Sequence, residues 1–133
     1  MTQRLNKIRR QLLITLGSIP LACWLKITWS ATDQDYAMAS YLTNLFQDRS
    51  SAQMIGLLYL KITPDEADIK QLLSCILHEY PEFEILAANK DPALSTRIRI
   101  LQQNDFEKEQ VVNIDGWVLS HMEARLCALS TFL

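Results

Sequence analysis

The sequence predicts an all-α protein: a compact bundle of about five short helices with an extended segment before the last helix, preceded by an N-terminal export helix. Helix-breaking residues are scarce, because the 133 residues include only 3 Gly and 4 Pro. Apolar residues recur at intervals of three and four, which is the spacing of one face of a helix. Residues that cap helix N-termini precede several of these stretches.

The start of the chain has the layout of a targeting segment. A basic cluster comes first, with no acidic residue before Asp33, and it consists of Arg4, Lys7, Arg9 and Arg10. The apolar stretch Leu12–Leu25 follows, and it is shorter than the roughly 20 residues that span a bilayer. A basic, then apolar, then polar order is typical of a secretory signal.

We therefore predict an export signal at 1–30 and a helical domain at 31–133. The pair Arg9-Arg10, followed by Gln and Leu, resembles the start of a twin-arginine signal. A retained membrane anchor, lipidation of Cys23 and a buried N-terminal helix are the alternatives.

Two helices are predicted after the signal. The first is Asp35–Phe46 and the second is Ala52–Lys61, with Ser50 or Ser51 as the N-cap of the second. The residues expected on their buried faces are Ala39, Leu42, Leu45 and Phe46, then Met54, Ile55, Leu58, Tyr59 and Ile62. Gly56 lies inside the second helix, where it costs about 1 kcal/mol relative to Ala. We therefore expect another backbone to approach the helix closely at this position.

Two further helices are predicted in the middle of the chain. Thr63-Pro64-Asp65-Glu66 has the pattern of a capping box with proline in the first turn, and it predicts a third helix that runs to about Glu79. Asp91-Pro92 likewise predicts a fourth helix that runs to about Phe106. The expected buried residues are Ile69, Leu72, Leu73, Ile76, Leu77, Leu94, Ile98 and Leu101, with Phe106 as a further candidate. The stretch Glu82–Asn89 fits no single pattern.

An extended segment interrupts the helical pattern before the last helix. The β-branched residues of Val111–Ile114 favour a strand, and Asp115-Gly116 favours a tight turn. Ser120-His121-Met122-Glu123 has the pattern of a second capping box, which predicts a last helix ending near Phe132. The residues expected to be buried in this helix are Ala124, Leu126, Cys127, Ala128 and Leu129.

Composition and motifs argue against nucleic-acid binding and against catalysis by this chain alone. The net charge is −2, so no overall basic field favours nucleic acid. His78 and His121 have no nucleophile or paired carboxylate beside them in a catalytic pattern, and the sequence has no phosphate, dinucleotide or haem motif. We predict that the chain is not an enzyme and has no catalytic, cofactor-binding or metal-binding residues. Cys75 and Cys127 either pair or remain buried free thiols.

The C-terminal block Val112–Leu129 resembles the signature of the small subunits of membrane-bound, FAD-containing sugar dehydrogenases. The family pattern is roughly D-G-W-x-L-S-x-x-E-A-R-L, and the matching residues are Asp115, Gly116, Trp117, Leu119, Ser120, Glu123, Ala124, Arg125 and Leu126. The sorbitol dehydrogenase small-subunit family is the most similar, and the fructose, glucose and gluconate dehydrogenase small subunits are similar in kind. Upstream, Ile55-Gly56-x-x-Tyr59-Leu60, Pro64-x-Glu66-Ala67-Asp68 and Asp105-Phe106 also resemble the family.

The resemblance implies a non-catalytic small subunit, or an export and maturation escort, of a periplasmic FAD-dependent sugar or polyol dehydrogenase. The partner would be a large flavoprotein of the glucose-methanol-choline oxidoreductase type, often completed by a multihaem cytochrome subunit. FAD and haem would belong to those partner subunits. The expected location is the periplasm or the periplasmic face of the inner membrane, with membrane association through the partner or the N-terminal segment. The alternative is a free-standing periplasmic or lipid-anchored helical binding protein.

Four residues of the C-terminal block are the candidates for binding the partner: Trp117, Leu119, Glu123 and Arg125. Trp117 would anchor the partner, since tryptophan is enriched at binding hot spots, or would instead lie in the protein's own core. Arg125 would form a charge-assisted hydrogen bond, either to Asp115 or across the interface. Glu123 is expected first to cap the last helix.

Overall fold

A computed structural model describes residues 30–133 of the chain. The predicted export signal, the twin-arginine-like pair and Cys23 lie outside the described residues. Residues 31–133 form one compact unit. Within the described part of the chain, no helix combines the length and the apolar character that crossing a membrane requires.

The described residues confirm the predicted all-α class, with six α-helices and one small hairpin. The elements are α1 (Asp33–Thr43), α2 (Arg49–Ile62), α3 (Ile69–Glu79), α4 (Glu82–Ala88), α5 (Ala93–Glu107), β1 (Val111–Ile114), β2 (Trp117–Ser120) and α6 (His121–Ser130). A 3₁₀ turn, Pro64–Glu66, precedes α3. The number of helices exceeds the predicted five because α4 forms in the stretch that fitted no single pattern.

The last helix lies at the centre of the bundle. It packs against α1, α2, α3 and α5, with its largest contact to α2. All five residues predicted to be buried in it are buried, and Met122 and Ser130 join them. The rest of the helix is polar and only partly buried at His121, Glu123 and Arg125. Full burial of each large apolar residue, such as Leu126 or Leu129, contributes about 1.5–3 kcal/mol.

The contact between α2 and α6 depends on Gly56, as the mid-helix glycine predicted. A Cβ at this position would lie 2.8 Å from the Cα of Ala128 and would clash with the carbonyl group of Cys127. The buried residues of α2 are Ala52, Gly56 and Tyr59.

The buried face predicted for α2 is wrong for two residues, because small residues decide which side of the helix packs. Met54 and Ile62 are 61% and 56% exposed, although their spacing placed them on the apolar face. In α1 the predicted end at Phe46 is also too late. The helix stops at Thr43, and Leu45 beyond it is 40% exposed. Phe106, the further candidate for the buried face of the fourth predicted helix, is 48% exposed near the end of α5.

Two predicted N-caps are replaced by aspartates. Asp48, rather than Ser50 or Ser51, caps α2, since its carboxylate accepts the Ser51 N–H at 3.1 Å. Asp68 caps α3 by accepting the Gln71 N–H at 3.1 Å.

The capping box predicted at Thr63 does not form. The Thr63 hydroxyl donates instead to the Tyr59 carbonyl at 2.8 Å, at the end of α2. The segment after it makes one 3₁₀ turn before Asp68 opens α3. The Glu66 side chain, which would complete the box, accepts hydrogen bonds from Tyr59 and Arg125 instead.

The extended segment before α6 is an antiparallel hairpin in which Ile114 pairs with Trp117 and Val111 pairs with Ser120. Both residues of the turn have positive φ, 52° at Asp115 and 87° at Gly116, which is the conformation of a type I′ turn. The Asn113 carboxamide oxygen accepts the Gly116 N–H at 3.0 Å and fixes the turn. Ser120 ends the hairpin and caps α6, as predicted, by accepting the Glu123 N–H at 3.0 Å.

Candidate partner-binding site

Trp117 begins β2 beside the hairpin turn, and 69% of its surface is exposed. The sequence left open whether Trp117 lies in the core or at the surface, and in the structure it lies at the surface. Val118 next to it is 53% exposed. The hairpin therefore presents two neighbouring large apolar residues to solvent.

Leu119 lies in the protein's own core and is only 7% exposed. It follows Trp117 in β2 at the two-residue spacing of a strand. In the described fold its role is to attach the hairpin to the bundle. A direct contact of Leu119 with a partner would require this part of the core to open.

Arg125 forms an ion-pair network with two glutamates that are far from it in sequence. Its Nε and Nη2 donate to the two carboxylate oxygens of Glu66 at 3.1 and 3.0 Å, and Nη1 donates to Glu79 at 2.8 Å. The Arg125 and Glu66 side chains are only 15% and 16% exposed. The predicted bond from Arg125 to Asp115 is therefore wrong, since both ends of the guanidinium bind acids on other elements.

Tyr59 extends this network into the core. Its hydroxyl donates to Glu66 at 2.8 Å, and its ring meets the His121 ring edge-on at 6.3 Å. Burial and the bond to Glu66 raise the pKa of Tyr59 to about 12. Burial alone would raise the pKa of Glu66, but the hydrogen bonds from Arg125 and Tyr59 outweigh it and the pKa is lowered. Glu66 thus holds α2 and α6 to the 3₁₀ turn as a carboxylate.

Glu123 lies in the first turn of α6 and is half-buried. Burial raises the pKa of its carboxyl, and a hydrogen bond from the Ser120 backbone opposes that rise. The Glu123 N–H donates to the Ser120 hydroxyl at 3.0 Å, so the side chain that caps α6 is that of Ser120. Of the four candidates, Trp117 alone has a side chain that is mainly exposed.

Asp105 is a buried carboxylate that was not predicted as a core residue. It is 3% exposed, and it accepts long hydrogen bonds of 3.5 Å from the Tyr80 hydroxyl and from the Met122 N–H. Met122 is in the first turn of α6, where the positive end of the helix dipole favours a negative charge. The only sequence signal for this residue is its place in one of the segments that resemble the dehydrogenase subunits.

The segments that carry the resemblance meet around α6. Gly56 approaches the backbone of α6, Glu66 binds Arg125, and Asp105 accepts from the start of the helix. These residues come from three separate segments of the chain and are not neighbours in sequence. Gly56, Glu66 and Asp105 therefore help to hold the last helix in place.

Beside this network lies an open polar cavity of about 370 Å³. Its lining residues are Glu79, Glu109, Gln110, Val111, His121 and Arg125.

Within residues 30–133, no group of three or more His, Cys, Asp or Glu side chains is placed to hold a metal ion. Cys75 and Cys127 are both free thiols, and burial raises the pKa of Cys127 to about 12.

The lowered pKa of Glu66 predicts a specific loss of stability in acid. A folded-state pKa below the ordinary 4.5 stabilises the protein above that value, and this contribution disappears as the pH falls through the folded-state pKa. We expect the free energy of unfolding, measured in urea at a series of pH values, to decrease over this range. In the Glu66→Gln variant the decrease should be smaller, although this variant should be less stable at neutral pH. Equal decreases in both proteins would contradict the assignment.

Comparison with protein-family models, with curated proteins and with solved structures finds no match to this chain.

Proposed function

We propose that this chain is a non-catalytic small subunit, or an export and maturation escort, of a periplasmic FAD-dependent sugar or polyol dehydrogenase. The chain supplies a binding surface, and the partner flavoprotein supplies FAD and the chemistry. A multihaem cytochrome is a further expected member of the complex. The location is the periplasm or the periplasmic face of the inner membrane.

The observation that carries this proposal is the position of Trp117 within the block that resembles the dehydrogenase small subunits. Two of the other candidate residues of this block have roles inside the fold, since Arg125 binds Glu66 and Glu79 and Leu119 is buried. Glu123 is half-buried in the first turn of α6. Trp117 is 69% exposed, so within residues 30–133 most of this large apolar side chain is left uncovered. A partner that buries this ring would account for the tryptophan.

The rigidity of the hairpin backbone also supports a binding role for Trp117. The type I′ turn, the Asn113–Gly116 hydrogen bond and the buried Leu119 and Ile114 side chains fix the backbone around it. A side chain held on a rigid element loses little conformational entropy on binding. The partner surface that fits it is an apolar pocket with a polar rim, into which the ring of Trp117 inserts.

The test is a pull-down of the tagged full-length chain from the cell envelope, followed by the absorption spectrum of the bound protein. We expect a flavin spectrum, with or without haem bands. The Trp117→Ala variant should bind the flavoprotein about 30-fold more weakly, which corresponds to the roughly 2 kcal/mol lost when a hot-spot tryptophan is truncated. Its thermal stability should remain unchanged, because the side chain is exposed.

A matched control is Ile85→Ala on α4, which removes an apolar side chain that is 67% exposed but lies outside the block. This variant should recover as much flavin as the unchanged chain. Equal recovery with Trp117→Ala would contradict the role of the hairpin. A monodisperse chain that recovers no flavoprotein would contradict the dehydrogenase proposal and favour the free-standing binding protein.

The escort role has a separate readout in the partner. When the flavoprotein is expressed without this chain, it should stay in the cytoplasm or lack FAD. Normal export and normal FAD content of the flavoprotein would exclude an escort role, and binding in the pull-down would then identify a structural subunit.

A further inference from the structure

We draw no further inference here: the strongest candidate, the apolar side chains that α2 exposes to solvent at Met54, Leu57 and Ile62, carries none because nothing in the structure shows what covers this face.

Discussion

Replacing Gly56 with alanine is expected to destabilise the protein by about 3 kcal/mol, the upper end of the usual effect of overpacking a core. The added methyl group would lie 2.8 Å from the Cα of Ala128 and closer still to the carbonyl group of Cys127. Both contacts are with backbone atoms, so no side-chain rotation relieves them and α2 has to move away from α6. In a solvent-exposed helix the same change would stabilise by about 1 kcal/mol, so the sign of the effect is diagnostic.

Urea unfolding of the Gly56→Ala variant measures this effect directly. Ser74→Ala on the exposed side of α3 is the control, because it adds no contact and changes helix propensity by less than about 0.7 kcal/mol. The control should unfold at nearly the same urea concentration as the unchanged protein. If Gly56→Ala were as stable as the control, the close approach of α2 and α6 would be wrong.

Replacing Arg125 with methionine is expected to have the second large effect, a loss of about 3 kcal/mol. Methionine keeps an apolar stem of similar shape but leaves Glu66 and Glu79 without their shared cation. Glu66 is mostly buried, with 16% of its side chain exposed, so water compensates poorly for the lost partner. Truncating one member of a buried pair costs more than the pair contributes in net stability.

The exposed ion pair of Arg97 and Glu82 provides the matched control. Its N–O distance of 2.9 Å is similar, but the two side chains are 44% and 36% exposed. We expect Arg97→Met to change the free energy of unfolding by less than about 1 kcal/mol. Equal losses in Arg125→Met and Arg97→Met would show that burial of the network has no energetic consequence.

A double variant separates the ion pair from general packing around Arg125. When Glu66→Gln is combined with Arg125→Met, no buried charge remains unpaired at Glu66. The double variant should therefore lose less stability than the sum of the two single variants, by roughly 1–3 kcal/mol of coupling. An additive result would mean that Arg125 acts through its stem alone.

Features that depend on residues close together in sequence were predictable. The turn at Asp115-Gly116 follows from two residues that tolerate positive φ, and the cap at Ser120 follows from its distance to Glu123. The mid-helix glycine indicated a close backbone contact, although not which element makes it. Local chemistry thus predicted the all-α class, the extended segment with its tight turn and the buried residues of the last helix.

Features that depend on distant partners were not predictable. The residues next to Glu66 in sequence predict that it caps a helix. In the structure it binds Arg125, which is 59 residues away. Spacing alone placed Met54 in the core, whereas the small residues Ala52 and Gly56 turn the opposite side of α2 inward. The exposure of Trp117 could not be read from the strand pattern, because residues two apart share a face of a strand and Leu119 is buried.

The central position of α6 has a consequence for the order of events during synthesis. The ribosome makes α1 to α5 and the hairpin before it makes the helix that most of them pack against. Short helices without such packing are only marginally stable in water. The domain therefore cannot complete its core until residues through Ser130 have left the ribosomal tunnel. By that time the first 30 residues have long been available to any factor that recognises them.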